Sequence, residues 1–147
     1  MTNLPGKPTS PWLDRSPGTS WPRLEEDLVC EVAVIGGGIA GISAAYRLSG
    51  TGASVALIEA RSIGAGVTGH TSAKLSALQG TVYSHLSSRV SPEAAKQHAD
   101  LNIAGVAQAE QIAEALGISC DYLERPAITF TEDPGRVSQL EDEVAAA

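Results

Sequence analysis

The residues of this chain whose types and spacing could do chemistry are glycines followed by an acid. The stretch VIGGGIAG, Val34–Gly41, sets Gly36, Gly38 and Gly41 in a G-x-G-x-x-G pattern, and Glu59 follows 23 residues after the first of them. Ordering a glycine costs more backbone entropy than ordering any other residue, so a cluster of them requires a local reason. The reason available is the approach of a phosphate to bare backbone. Gly36 permits a tight turn, Gly38 lets a pyrophosphate come close, and Gly41 lets a following helix pack against a preceding strand. A helix that opens at this point offers unpaired N–H groups and a partial positive charge to the anion. The carboxylate of Glu59 is then placed to accept the ribose hydroxyls of an adenosine, and an acid there disfavours a 2′-phosphate. These residues point to a dinucleotide, FAD or NAD, with NADP the least favoured.

The pattern means something only if a strand precedes it and a helix follows. Residues 29–35 are a β-branched run suited to a buried strand, and Ile39–Leu48 is Ala-rich and helical, with Gly50 and Gly52 available to end it. Residues 53–59, ASVALIE, read as a second buried strand. Strand, helix and strand together have the size of one βαβ unit, so the fold class is α/β with a Rossmann-like FAD/NAD(P)-binding unit. Ahead of it, residues 1–28 are rich in Pro, Ser, Thr and Gly, with Trp12 and Trp21 as isolated anchors, and read as an extended arm lying on a body.

Residues 29–80 are expected to hold the βαβ unit and a following Gly-rich loop, with a short helix beginning in residues 71–78. Residues 81–147 are expected to be a helical segment that opens a substrate domain. Within it the sequence predicts helices over 82–90, 92–116 and 136–147 and a strand over 127–131, AITFT. Ser91 as N-cap, Pro92 at the first helical position and Glu93 in the first turn mark one start, and Gly117 marks its stop. Ala95, Ala99, Val106, Ala109, Ile112 and Leu116 form a small-residue stripe on that helix. Three strand candidates are few for a doubly wound sheet, so the chain is expected to be the N-terminal piece of a two-domain protein.

The totals narrow the partners. The 147 residues carry 10 Lys+Arg against 17 Asp+Glu, a net charge of −7. That balance argues against DNA or RNA, which calls for a basic face. No apolar run reaches the ~20 residues of a membrane span, and the N-terminus has no apolar core of a secretory signal, so the expected location is cytoplasmic. Cys30 and Cys120 lie far apart in no CxxC or Cys-x-His pattern, so neither a disulfide framework nor a metal site is expected.

The loop after Glu59 bears on the choice of dinucleotide. RSIGAGVTGHTSAK, residues 61–74, is rich in glycine and hydroxyl groups, and such a loop can run along a ligand longer than an adenosine. The plain alternative is a surface turn. Lys74, one helical turn past His70 if the segment is helical, is a candidate to face a flavin or a phosphate. His85 and His98 read as packing or surface histidines, and Cys30 as a small buried hydrophobe.

EVAVIGGGIAGISAAYRL followed by VALIEARSIGAGVTGHTSAK resembles the FAD-dependent oxidoreductases of the D-amino-acid oxidase-like superfamily. The lead-in WPRLEEDLVCEV, the loop GVTGHTSAK, HADLNIAG and CDYLERPAITFTED are similar to its bacterial subgroup with a C-terminal Rieske iron–sulfur domain. The resemblance implies an FAD domain with an interleaved substrate domain, oxidising a C–N bond of an amine or amino acid by hydride transfer to flavin N5. It assigns FAD to Gly36, Gly38, Gly41, Glu59, Ala60, Arg61, Gly66, Thr68, Gly69, His70 and Thr71. Gly66 to His70 also resembles a loop in dimethylglycine and sarcosine dehydrogenases, where a histidine is bonded covalently to the flavin. The chain departs from the subgroup in having no Cys-x-His…Cys-x-x-His set, so a [2Fe–2S] cluster belongs only to a longer chain. No residue matches a catalytic role, and the piece alone is expected to be inactive. The readings set beside this one are an NAD-linked dehydrogenase, a flavin-dependent disulfide reductase (disfavoured by the missing CxxxxC after Glu59) and a non-catalytic Rossmann-like module.

Overall fold

The structure is a computed structural model that describes residues 6, 9–15 and 19–147. It divides into two compact units, Met1–Ala73 and Lys74–Ala147.

The first unit is a βαβ motif with an arm. Strand β1, Val32–Ile35, pairs in parallel with β2, Val55–Ile58, in the register Val32↔Val55 to Ile35↔Ile58. Helix α2, Ile39–Ser49, makes the crossover between them. Both strands are shorter than the apolar runs that announce them. The ladder is extended at one end by Gly36, whose N–H donates to the Ile58 carbonyl at 2.7 Å. At the other end Glu31 and Ser54 clamp the strands. The Glu31 N–H donates to the Ser54 carbonyl at 3.0 Å, and the Glu31 carboxylate accepts the Ser54 N–H at 2.8 Å. Gly52, at φ +86°, turns the chain from helix to strand in a conformation that glycine adopts without strain. Within the arm, Pro11–Arg15 forms a helical turn, α1, where the sequence reading expected only extended chain. Arm residues 1–5, 7, 8 and 16–18 lie outside the described residues.

The second unit is helical: α3, Val82–Arg89; α4, Pro92–Ala115; and α5, Val137–Ala146. Ser91 caps α4 as expected, its hydroxyl accepting the Ala94 N–H at 3.1 Å. Helix α3 has no cap from its own segment. Its first turn is instead satisfied by Glu143 of α5, whose carboxylate accepts the N–H groups of Tyr83 at 2.9 Å and Ser84 at 2.7 Å. Burial pushes the Glu143 carboxyl up, but the hydrogen bonds from Ser84 and Tyr83 outweigh it and hold the group below its ordinary value. Among the described residues, the buried side chains are those of Glu143, Tyr83 and Ala95. Of the small-residue stripe on α4, Ala95 is buried, whereas Leu116 is exposed.

Two further expectations fail. Residues 127–131 form no strand: Ile128 and Phe130 are about three-quarters exposed, and no neighbouring strand pairs with their backbone among the described residues. β-Branched and aromatic side chains favour a strand only when a partner strand covers them. Residues 71–78 form no helix either; the ordered turn lies earlier, as a 3₁₀ turn at Val67–His70.

Candidate functional site

The glycine turn joins β1 to α2 as its spacing requires. Gly36 has φ +105°, a backbone state that an L side chain rarely adopts, so the residue at the strand end is glycine for conformation rather than for space. At Gly41 the reason is space: a Cβ would drive into the Gly36 carbonyl oxygen and sit 3.4 Å from Val34 Cγ1. Helix and strand are therefore in contact through bare backbone. Gly38 is the N-cap of α2, and a Cβ there would meet only Thr68 Oγ1, at 3.4 Å, an ordinary contact. The protein itself leaves Gly38 room for a side chain, and a ligand that approaches the backbone would use that room.

Glu59 stands one residue beyond β2 and is tied to this turn. One carboxylate oxygen accepts the Gly37 N–H at 2.7 Å, and the other accepts the Arg61 N–H at 2.9 Å. The bond from Gly37, then that from Arg61, hold its carboxyl below the ordinary range; the Arg61 charge and the Ala60 N–H add to this, and burial opposes it. A carboxylate has roughly four lone-pair sites, so two remain for further donors. Glu59 thereby joins the end of β2 to the glycine turn, a contact that the sequence reading did not anticipate.

The second loop folds back on the same turn. The Gly64 N–H donates to the Gly37 carbonyl at 2.9 Å, and the Gly64 carbonyl accepts the Gly69 N–H at 2.8 Å. Thr68 then reaches the start of α2, where its hydroxyl accepts the Ile39 N–H at 2.9 Å. Ala40 and Gly41 occupy the rest of that first turn, where N–H groups have no partner within a helix. His70 is exposed, and its Nδ1 lies 2.9 Å from the Gly66 carbonyl. Because a carbonyl only accepts, Nδ1 is the donor in this contact. Thr71 accepts a bond from Trp12 Nε1 through its carbonyl, at 2.7 Å.

Comparison with known proteins gives the family. The sequence profile of the DAO family, FAD dependent oxidoreductase, matches residues 31–147. The chain belongs to the DAO family of FAD-dependent oxidoreductases. It is 32% identical over 136 residues to a protein of Bacillus subtilis (strain 168) that carries the name Rieske 2Fe-2S iron-sulfur protein YhfW. That match covers 92% of this chain and 27% of the relative, so the chain spans about a quarter of its length. It is also 40% identical over 52 residues to the gamma-glutamylputrescine oxidoreductase of Escherichia coli (strain K12), covering 35% of this chain and 12% of that protein. No solved structure matches the chain significantly.

FAD is the cofactor of this family, and the glycine turn fits it. It has a backbone surface open at Gly38, a helix start at Ala40 and Gly41, and a negative carboxylate beside it at Glu59. Of the residues singled out in sequence, Gly36, Gly38, Gly41, Glu59, Ala60, Arg61, Gly66, Thr68, Gly69, His70 and Thr71 all belong to the first unit. Lys74 opens the second, and the missing helix at 71–78 removes the spacing argument that linked it to His70. His85 lines a shallow polar cleft with Ser84, Ser88, Gln139 and Asp142. His98 packs edge-on to Tyr83, with ring centroids 6.0 Å apart. The sequence reading gave no role to Gly37 or Gly64, and it named Trp12 as an anchor of the arm without its partner. The positive φ of Gly64, +74°, was foreshadowed by its residue type. Nothing local announces the Trp12 bond, which joins residues 59 positions apart.

Proposed function

We propose that this chain is the N-terminal, FAD-binding part of a longer cytoplasmic flavoenzyme that oxidises a C–N bond of an amine or amino acid. The observation that carries the proposal is the junction of Glu59 with the Gly37 N–H at 2.7 Å, beside the open backbone at Gly38. Ala40 and Gly41 donate to the pyrophosphate, and the two free lone-pair sites of Glu59 accept the ribose hydroxyls. Arg61 and Ala60 fix the carboxylate that does so. Gly66, Thr68, Gly69, His70 and Thr71 carry the loop along the rest of the cofactor toward the flavin. When bound, FAD supplies at N5 the acceptor for a hydride from the substrate carbon next to nitrogen. The amine reading is supported by the name of one relative, the gamma-glutamylputrescine oxidoreductase. The substrate contacts are assigned to a domain that residues 81–147 begin, and a Rieske [2Fe–2S] cluster to a longer chain, since one relative is named for it.

The test is the absorbance of the purified full-length protein. One flavin per chain, bleached without oxygen by an amine or amino acid, is the expected result. A colourless protein that takes up no added FAD would overturn the reading. The 147 residues alone are expected to aggregate and to oxidise no amine. Their two-stranded sheet leaves Ile35 largely exposed, and Ile128 and Phe130 of the second unit are similarly uncovered. A sharp melt with stoichiometric FAD uptake by the 147 residues would refute that part.

A further inference from the structure

We propose that the N-terminal arm positions the cofactor loop, with Trp12 and Leu13 as positioning residues for the Val67–Thr71 segment; the role rests on the FAD reading above. The loop is fixed at its near side by bonds to the glycine turn, from Gly64 to Gly37 and between Thr68 and Ile39. At its far side the anchors come from the arm. Trp12 Nε1 donates to the Thr71 carbonyl at 2.7 Å, which pins the backbone directly after His70. Leu13 covers the loop at Gly69, where an added Cβ would stand 2.8 Å from Leu13 Cδ2. Gly69 is buried, and its N–H closes the turn onto Gly64, so the arm and the turn share one packed contact.

The length of α1 strengthens the argument. Five residues, Pro11–Arg15, are far below the ~12–15 at which an isolated helix becomes even marginal in water. Its order therefore comes from what it docks on, and the partner it meets is the 3₁₀ turn Val67–His70. Trp12 is itself 43% exposed, so burial of its ring is incomplete and the directed N–H bond is the specific part of the contact. A loop held from both sides presents Thr68 and His70 in one geometry. Released on the arm side, it keeps Thr68 at the helix start and loses the placement of His70 and Thr71.

Trp12→Phe in the full-length protein removes the N–H donor and keeps an aromatic ring, and Trp21→Phe is the control. Three quantities are read: amide hydrogen exchange of Gly69 and His70, the dissociation rate of bound FAD, and its absorbance. One neutral hydrogen bond corresponds to about three- to tenfold in an equilibrium. Exchange at the loop and release of FAD are each expected to rise by about that factor. The flavin absorbance bands should shift, while exchange in β1 and β2 and the melting temperature stay as in wild type. Unchanged loop exchange, or faster exchange with unaltered FAD release and spectrum, overturns the positioning role. Should Trp12→Phe not fold, Leu13→Ala keeps the Trp12 bond, removes the packing on Gly69 and is read in the same way. A wild-type protein that takes up no FAD defeats the cofactor reading instead, and loop exchange alone then decides whether the arm holds the turn.

Discussion

Substituting alanine at Gly38 and at Gly41 separates what the fold needs from what the cofactor needs. At Gly41 a Cβ would overlap the Gly36 carbonyl oxygen, a backbone atom that cannot swing aside, and Gly36 carbonyl carbon would lie 3.1 Å away. Relief requires the first turn of α2 to move off the end of β1 by about 1 Å or more. Overpacking of this kind costs about 1–3 kcal/mol. At Gly38 the added methyl meets only a hydroxyl at 3.4 Å, and the backbone, at φ −82°, is one that any residue adopts. Gly38→Ala is therefore expected to unfold at the wild-type urea concentration.

The two variants should diverge when FAD is titrated. Gly41→Ala should lose stability and FAD together, because the displaced turn carries the N–H groups of Ala40 and Gly41. Gly38→Ala should keep its stability and lose FAD affinity by at least tenfold, because the methyl fills the space through which the pyrophosphate reaches the backbone. Urea melts of the FAD-free protein and fluorescence titration with FAD measure the two effects independently. Wild-type FAD affinity in Gly38→Ala would refute the phosphate approach at that residue. A wild-type melt for Gly41→Ala would refute the backbone contact between α2 and β1.

Three further outcomes are expected. Glu59→Gln should weaken FAD binding about ten- to a hundredfold, the loss expected for a hydrogen bond to a charged group, and leave turnover at saturating FAD unchanged; an unaltered dissociation constant would remove Glu59 from the ribose site. Glu143→Gln should destabilise the second unit by about 1–3 kcal/mol, because a carboxamide has one acceptor oxygen for two buried N–H groups. The folded-state value of Glu143 is depressed, so its contribution is full above the unfolded value near 4.5 and is lost as pH falls through the folded value; urea midpoints between pH 6 and 3 should fall less steeply in the variant than in wild type, and parallel curves would refute the cap. His70→Ala should alter the flavin spectrum or reduction potential of the full-length protein, and a flavin that stays with the acid-precipitated wild-type chain would show covalent attachment; an unchanged spectrum, potential and turnover would leave His70 bonded only to Gly66.

What could be read in the sequence was whatever short segments determine by themselves. Gly36, Gly38 and Gly41 fix a strand–turn–helix junction through conformation and contact within six residues, and Ser91-Pro92-Glu93 fixes a helix start within three. Both are where the sequence puts them. The features that could not be read depend on partners distant in the chain. AITFT has the residues of a strand, but a strand exists only against another, and none covers Ile128 or Phe130 among the described residues. Thr71–Leu78 forms no helix, and Ala73 within it stands at φ +60°, a left-handed backbone that a right-handed helix cannot hold. The cap on α3 comes from Glu143, about sixty residues away, and the brace on Thr71 from Trp12, at nearly the same separation. Glu59 belongs to both classes. Its distance from the glycines is legible in the sequence, while its bonds to Gly37 and Arg61 emerge only in three dimensions. Those two bonds tie the end of β2 to the glycine turn, so one carboxylate holds the turn beside the start of α2.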